Sequence, residues 1–143
     1  MLVSCLLAGC AGGGATPPDP AARQALARFD GLYQGQQIPS VVGGNCRTQS
    51  RTVWFRVRDG DVELRSSRRR HSAVQRPIMA GRVRPDGEIA LNRDGSDRFA
   101  AGQIVGNRLT VTEVPPAVGA LASGTTCLYR YEAERQQGDD EAE

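Results

Sequence analysis

At 143 residues, with a signal, a linker and a tail set aside, the chain holds one small domain; a domain of roughly 100 residues buries only about two thirds of its unfolded surface, so any cross-link counts. Its 17 glycines and only 5% aromatics suit tight turns between short strands and argue against a helical bundle. The formal charge of +2 hides a division: Phe29 to Tyr131 carries fifteen Arg and nine acids, a net +6, whereas Glu132 to Glu143 carries six acids and one Arg, a net −5.

The chain opens with an apolar run that stops at Cys10, and Leu7-Ala8-Gly9-Cys10 resembles the lipobox of bacterial lipoproteins. The resemblance implies cleavage before Cys10, a thioether from its thiol to diacylglycerol and acylation of the new amine. Ala11 directly after the cysteine implies the outer membrane, facing the periplasm. Only nine residues precede Cys10 and none is basic, so we expect the signal to continue upstream of Met1. Residues 1–9 are thus a truncated signal. Residues 10–19, rich in Gly and Pro, read as a flexible tether. Two or three acyl chains anchor durably where one is marginal.

Asp19-Pro20 supplies an N-cap and a proline at the first helical position, predicting a short helix over 20–28 that leans on the domain through Ala22, Leu26 and Phe29. The β domain is expected over 29–131. Phe29 to Gly35 reads as an entry strand, and a polar loop with Gly43-Gly44 leads to Cys46. In Thr52 to Arg65, Asp59-Gly60 sits between two alternating runs as a two-residue hairpin turn. That turn sets Arg58 opposite Asp61, Val57 opposite Val62, Arg56 opposite Glu63, Phe55 opposite Leu64 and Trp54 opposite Arg65. One face is then apolar; the other carries two opposite-charge pairs and an arginine beside a tryptophan.

Pro85-Asp86-Gly87 joins Ala80–Arg84 to Glu88–Leu91, Asp94-Gly95 is a further break, and Gly106-Asn107 joins Arg98–Val105 to Arg108–Val114. A small-residue loop follows Pro115-Pro116, and Thr125 to Tyr131 is the last strand, with Cys127, Tyr129 and Tyr131 on one face. Residues 132–143 read as an acidic tail without fixed structure. The whole is all-β: an antiparallel meander of about seven strands, closed as a small barrel or folded as a sandwich. The barrel is preferred, because a bond between the first and last parts of the domain suits a sheet closing on itself.

The layout, Phe29-Asp30-Gly31-Leu32-Tyr33-Gln34-Gly35, an early Cys, Asp-Gly turns and a late Cys, is similar to small exported β-domain proteins of alphaproteobacteria. No activity is implied by it. With Cys5 leaving in the signal and Cys10 lipidated, Cys46 and Cys127 remain as a disulfide pair in an oxidising compartment.

Chemistry-bearing constellations are sparse. His71, the lone histidine, lies in an arginine-rich loop where positive charge would lower its pKa and nothing orients it as a base. Two cysteines and one distant histidine make no zinc site, and no glycine-rich loop opening a helix cradles phosphate. We therefore expect a protein that is not an enzyme and uses no cofactor or metal. The sharpest polar feature is Arg68-Arg69-Arg70 with Arg65 and Arg76, a candidate patch for an anionic envelope component or a protein partner. The acidic tail is a second, internal candidate for that patch. Nucleic acid is not expected, because no aromatics interleave with the arginines. Trp54, Tyr33, Tyr129 and Tyr131 are candidates for lining a ligand cavity. The expected function is a non-enzymatic envelope lipoprotein that binds another envelope component through its basic or barrel-end loops. The alternatives are a periplasmic inhibitor of lysozyme or proteases and a lipocalin-like or avidin-like carrier of a small apolar molecule.

Overall fold

The computed structural model describes residues 19–41, 46, 48–68, 76–96, 98–115 and 127–138. The lipobox, the tether up to residue 18, Gly43-Gly44, Arg69, Arg70, His71, residues 116–126 and the end of the acidic tail lie outside the described residues.

The strands are β1 (Gly31–Val41), β2 (Arg51–Arg58), β3 (Asp61–Arg65), β4 (Met79–Val83), β5 (Glu88–Asn92), β6 (Phe99–Val105), β7 (Arg108–Val114) and β8 (Leu128–Arg135), preceded by helix α1 (Pro20–Ala27). Each strand pairs antiparallel with the next, and β8 pairs back on β1, closing an up-and-down barrel with no free edge. The sandwich alternative is thereby set aside.

The predicted hairpin forms in the expected register, Arg58 opposite Asp61 through Trp54 opposite Arg65. Its turn has φ 52° at Asp59 and 84° at Gly60, the two positive angles of a type I′ turn. A Cβ at Gly60 would also lie 3.0 Å from Leu26 Cδ1 of α1. Gly60→Val is therefore expected to cost about 1–3 kcal/mol, through backbone strain and a displaced helix. Urea unfolding checks this; an unchanged midpoint would mean that the turn takes another form.

The outward face of this hairpin departs from expectation. The pairs Arg58–Asp61 and Arg56–Glu63 are in register but do not form the ion pairs foreseen. Asp61 accepts from Arg82 of β4 at 3.1 Å, and Glu63 accepts from Arg65 two residues along its own strand at 2.8 Å. The guanidinium over the Trp54 ring belongs to Arg68, at 5.9 Å, not to Arg65. In a closed barrel the neighbouring strand competes for every outward charge, and a hairpin taken alone has no such neighbour.

Two boundaries also move. The entry strand starts at Gly31 and runs on to Val41, because Gln36 and Gln37 are paired with β2 on one side and β8 on the other. Pro39 falls beyond the last β2 partner and at a register shift in the β8 ladder, where a missing N–H is tolerated. The last strand continues to Arg135, so Glu132 and Glu134 belong to the barrel wall and not to a tail.

Eight strands give a barrel just wide enough for side chains to fill. Tyr33, Phe55, Leu64, Leu91, Leu109 and Tyr131 are all fully buried inside, with Phe55 edge-on to Tyr131 at 6.0 Å between ring centroids. Where the wall must pass close to its neighbour the sequence supplies Gly102, at which a Cβ would sit 1.9 Å from the Thr110 carbonyl oxygen.

Helix α1 closes one end. Asp19 caps it by accepting from the Ala21 N–H at 3.0 Å; Leu26 packs on the core and Phe29, just past the helix, is buried. Arg135 donates to the Tyr33 hydroxyl at 2.7 Å and to the Arg28 carbonyl, and Tyr33 donates to the Phe29 carbonyl at 2.8 Å. Burial raises the Tyr33 phenol above its ordinary pKa, and burial likewise raises Asp30, which accepts the Asp59 N–H. The turns at Asp59-Gly60, Pro85–Gly87 and Gly106-Asn107 lie at this end, as does the end of β8. The opposite end, the mouth, carries the connections β1–β2, β3–β4, β5–β6 and β7–β8.

Candidate functional site

Inward-pointing positions alternate along each strand. Followed toward the mouth, the series Tyr33, Gly35 reaches Gln37; Val57, Phe55, Val53 reaches Arg51; Leu91 is followed by Arg93; Ala100 is preceded by Arg98; Leu109, Val111 reaches Glu113; and Tyr131 is preceded by Tyr129. The barrel interior is apolar through its depth and changes to charged and polar residues in its last layer.

Those residues line a cavity of about 340 Å³, whose apolar walls are Ile78, Met79 and Tyr129. Its floor is a connected polar network. Glu113 is 5% exposed. One of its carboxylate oxygens accepts from the Tyr131 hydroxyl at 2.8 Å and the other from Arg98 Nη2 at 2.6 Å. Gln37 Nε2 donates to the Tyr131 hydroxyl at 3.1 Å, and Arg98 Nη2 also donates to the Cys127 carbonyl at 2.9 Å. Burial first, then the charge and hydrogen bond of Glu113, push the Tyr131 phenol far above its ordinary pKa, so it stays a donor to the carboxylate.

The disulfide frames this mouth. Cys46 and Cys127 are bonded with Cα atoms 5.5 Å apart, tying the connection after β1 to the entry of β8. Cys127 itself lines the cavity.

One buried polar atom in the site has no partner among the described residues: Arg51 Nε. Buried guanidinium N–H groups nearly always meet an acceptor, so an orphan of this kind asks for a ligand or an ordered water.

Of the predicted arginine patch, Arg65, Arg68 and Arg76 fall among the described residues. Arg65 is 8% exposed and bound to Glu63, while Arg76 pairs with Asp94 at 3.2 Å. Arg68 lies over Trp54. Among the described residues, Arg51, Arg93 and Arg98 converge on one cavity, which sequence reasoning passed over. Of the aromatic candidates, Tyr129 and Tyr131 line the cavity, Tyr33 is core near the helix end, and Trp54 points outward between Val53 and Phe55. The acidic tail leaves the barrel at the helix end, whereas Arg68 and Arg76 flank the β3–β4 connection at the mouth. A second depression, of about 420 Å³, lies on the outer wall between Gln34, Gln36, Glu132 and Glu134; Arg108 there is already paired with Glu134 at 3.3 Å.

Among the described residues, no group of three or more His, Cys, Asp or Glu is placed to hold a metal ion. Both oxygens of Glu113 are engaged, which makes it a poor general base and a good structural anchor for Arg98. Among the described residues, no helix is long and apolar enough to cross a membrane. Fold and site together define a small disulfide-bonded up-and-down barrel, with helix α1 at one end and, among the described residues, a basic cavity at the other. The chain matches no protein-family model, no curated protein and no solved structure.

Proposed function

We propose that this protein is a non-enzymatic lipoprotein of a bacterial cell envelope, held to the outer membrane through Cys10 and facing the periplasm, and that it binds another envelope component at the open end of its barrel. The observation that carries the reading is polarity along the barrel axis. Helix α1 packs at the end where β1 begins and β8 finishes, and the basic cavity lies at the other. A tether of residues 10–19 reaches about 30 Å at full extension, which presents the mouth away from the anchoring membrane. The interior is filled by side chains, so a small-molecule cargo would sit in the mouth and not within the barrel.

Two measurements test it. Metabolic labelling with a palmitate analogue, on the gene with its upstream codons, is expected to mark the protein, with the label lost in Cys10→Ser; label retained in that variant would remove the anchor. A photo-crosslinking residue at exposed Arg76, beside the mouth, is expected to capture an envelope component in living cells. The same residue at Asp86, in a turn at the helix end, is expected to capture none. The reverse pattern would overturn the assignment of the binding end.

A further inference from the structure

We propose that the mouth takes a carboxylate carried on a small apolar group, with Arg51 and Arg93 holding the carboxylate and Ile78, Met79 and Tyr129 receiving the apolar part. This deepens the reading of the mouth as the binding end and rests on it.

Arg98 is committed to Glu113 and to the Cys127 carbonyl, and Glu113 is committed on both oxygens. Arg51 and Arg93 line the same cavity, and neither forms an ion pair with a carboxylate among the described residues. The Nε of Arg51 is buried and lacks an acceptor among the described residues. A guanidinium presents Nε–H and one Nη–H as parallel donors, a spacing that matches the two oxygens of a carboxylate. The missing partner of Arg51 is therefore an oxygen acceptor, and a planar, bidentate one satisfies the fork in a single step.

Charge selects an anion: Glu113 is paired with Arg98, so Arg51 and Arg93, unpaired among the described residues, leave the cavity net positive. The flat fork of Arg51 is met by both oxygens of a planar carboxylate. Size selects a small group, because about 340 Å³ lies at the lower end of ligand cavities. Two sources share this chemistry: the head of an acyl chain and the C-terminus of an apolar peptide.

The experiment uses the full chain carrying Cys10→Ser, so that no attached acyl chain competes. Octanoate and N-acetyl-leucyl-leucine are titrated while the side-chain Nε–H resonance of Arg51 is followed by NMR, with octanol and octyl phosphate as comparisons. Saturable binding of at least one carboxylate is expected, with a shift of the Arg51 resonance and affinity at least tenfold above octanol; the tighter of the two names the source. Arg51→Gln is expected to weaken it tenfold or more. Arg93→Gln, at an exposed position, is expected to weaken it several-fold without a change in thermal midpoint, which separates binding from folding. Octanol equal to octanoate, octyl phosphate tighter than both carboxylates, or unchanged affinity in both variants would each overturn the proposal. So would no binding of any probe. Crosslinking from Arg76 would survive all of these outcomes, so the carboxylate site and the wider reading fail separately.

Discussion

Replacing Cys46 and Cys127 together by serine is expected to lower the thermal midpoint by about 10–20 °C, from a loss of about 2–4 kcal/mol. The bond closes a span of 81 residues that holds β2 to β7. On the chain-entropy model such a loop constrains the unfolded state by about 4.5 kcal/mol, an upper figure because residual structure in the unfolded chain already restricts it. The sulfurs also sit at the rim of the mouth, where the Cys127 carbonyl accepts from Arg98. Losing the bond should thus loosen the binding end before the plugged end. Thermal unfolding of the wild type with and without reductant checks this, and the reduced wild type should melt with the double variant. Thiol titration of the unreduced protein is expected to find neither cysteine free. Stoichiometric labelling of both would remove the cross-link from the account.

The architecture was legible because turn chemistry is local. Asp59-Gly60, Pro85-Asp86-Gly87 and Gly106-Asn107 each specify a connection without reference to the rest of the chain, and all three join adjacent strands as read. Closure was legible from the distance between Cys46 and Cys127. Outward ion pairs were not, because Asp61 and Glu63 choose among partners on the same and neighbouring strands, and the choice depends on packing across the whole wall. The mouth was the larger omission, though its signal lay in the chain. Arg51 stands two residues before Val53, Glu113 two after Val111, Arg93 two after Leu91 and Arg98 two before Ala100, so each continues an inward series. Every one of them is at a strand end that faces the same opening. Arg68-Arg69-Arg70 is conspicuous in the sequence only because it is contiguous. In a barrel, residues gather by parity and strand end, and contiguity in sequence mostly marks exposure.

A large loss of stability is expected at Glu113, with its neighbour Tyr131 giving the pH dependence. Glu113→Ala leaves the Tyr131 hydroxyl and Arg98 without their acceptor. Breaking a fully buried pair costs about 3–5 kcal/mol, and because the Arg98 side chain is 33% exposed, water recovers part of it, so about 2–3 kcal/mol is expected. Glu113→Gln keeps one acceptor and should cost less. Tyr131 is raised by burial and by Glu113, so the folded state keeps a proton that an unfolded tyrosine releases near pH 10. Its contribution is therefore complete below about pH 10 and declines as pH rises toward the folded value, by about 1.4 kcal/mol per unit for one proton. Tyr33 is raised in the same direction by burial and adds to the slope. Between pH 9.5 and 11 the wild type should lose stability more steeply than Tyr131→Phe, although the variant begins lower at pH 7 by about 1 kcal/mol, with Gln37 and Glu113 short of a partner. Urea unfolding across that range decides it: parallel slopes would mean that Tyr131 ionises in the barrel as readily as in the unfolded chain, and the network at the base of the mouth would then be open to water.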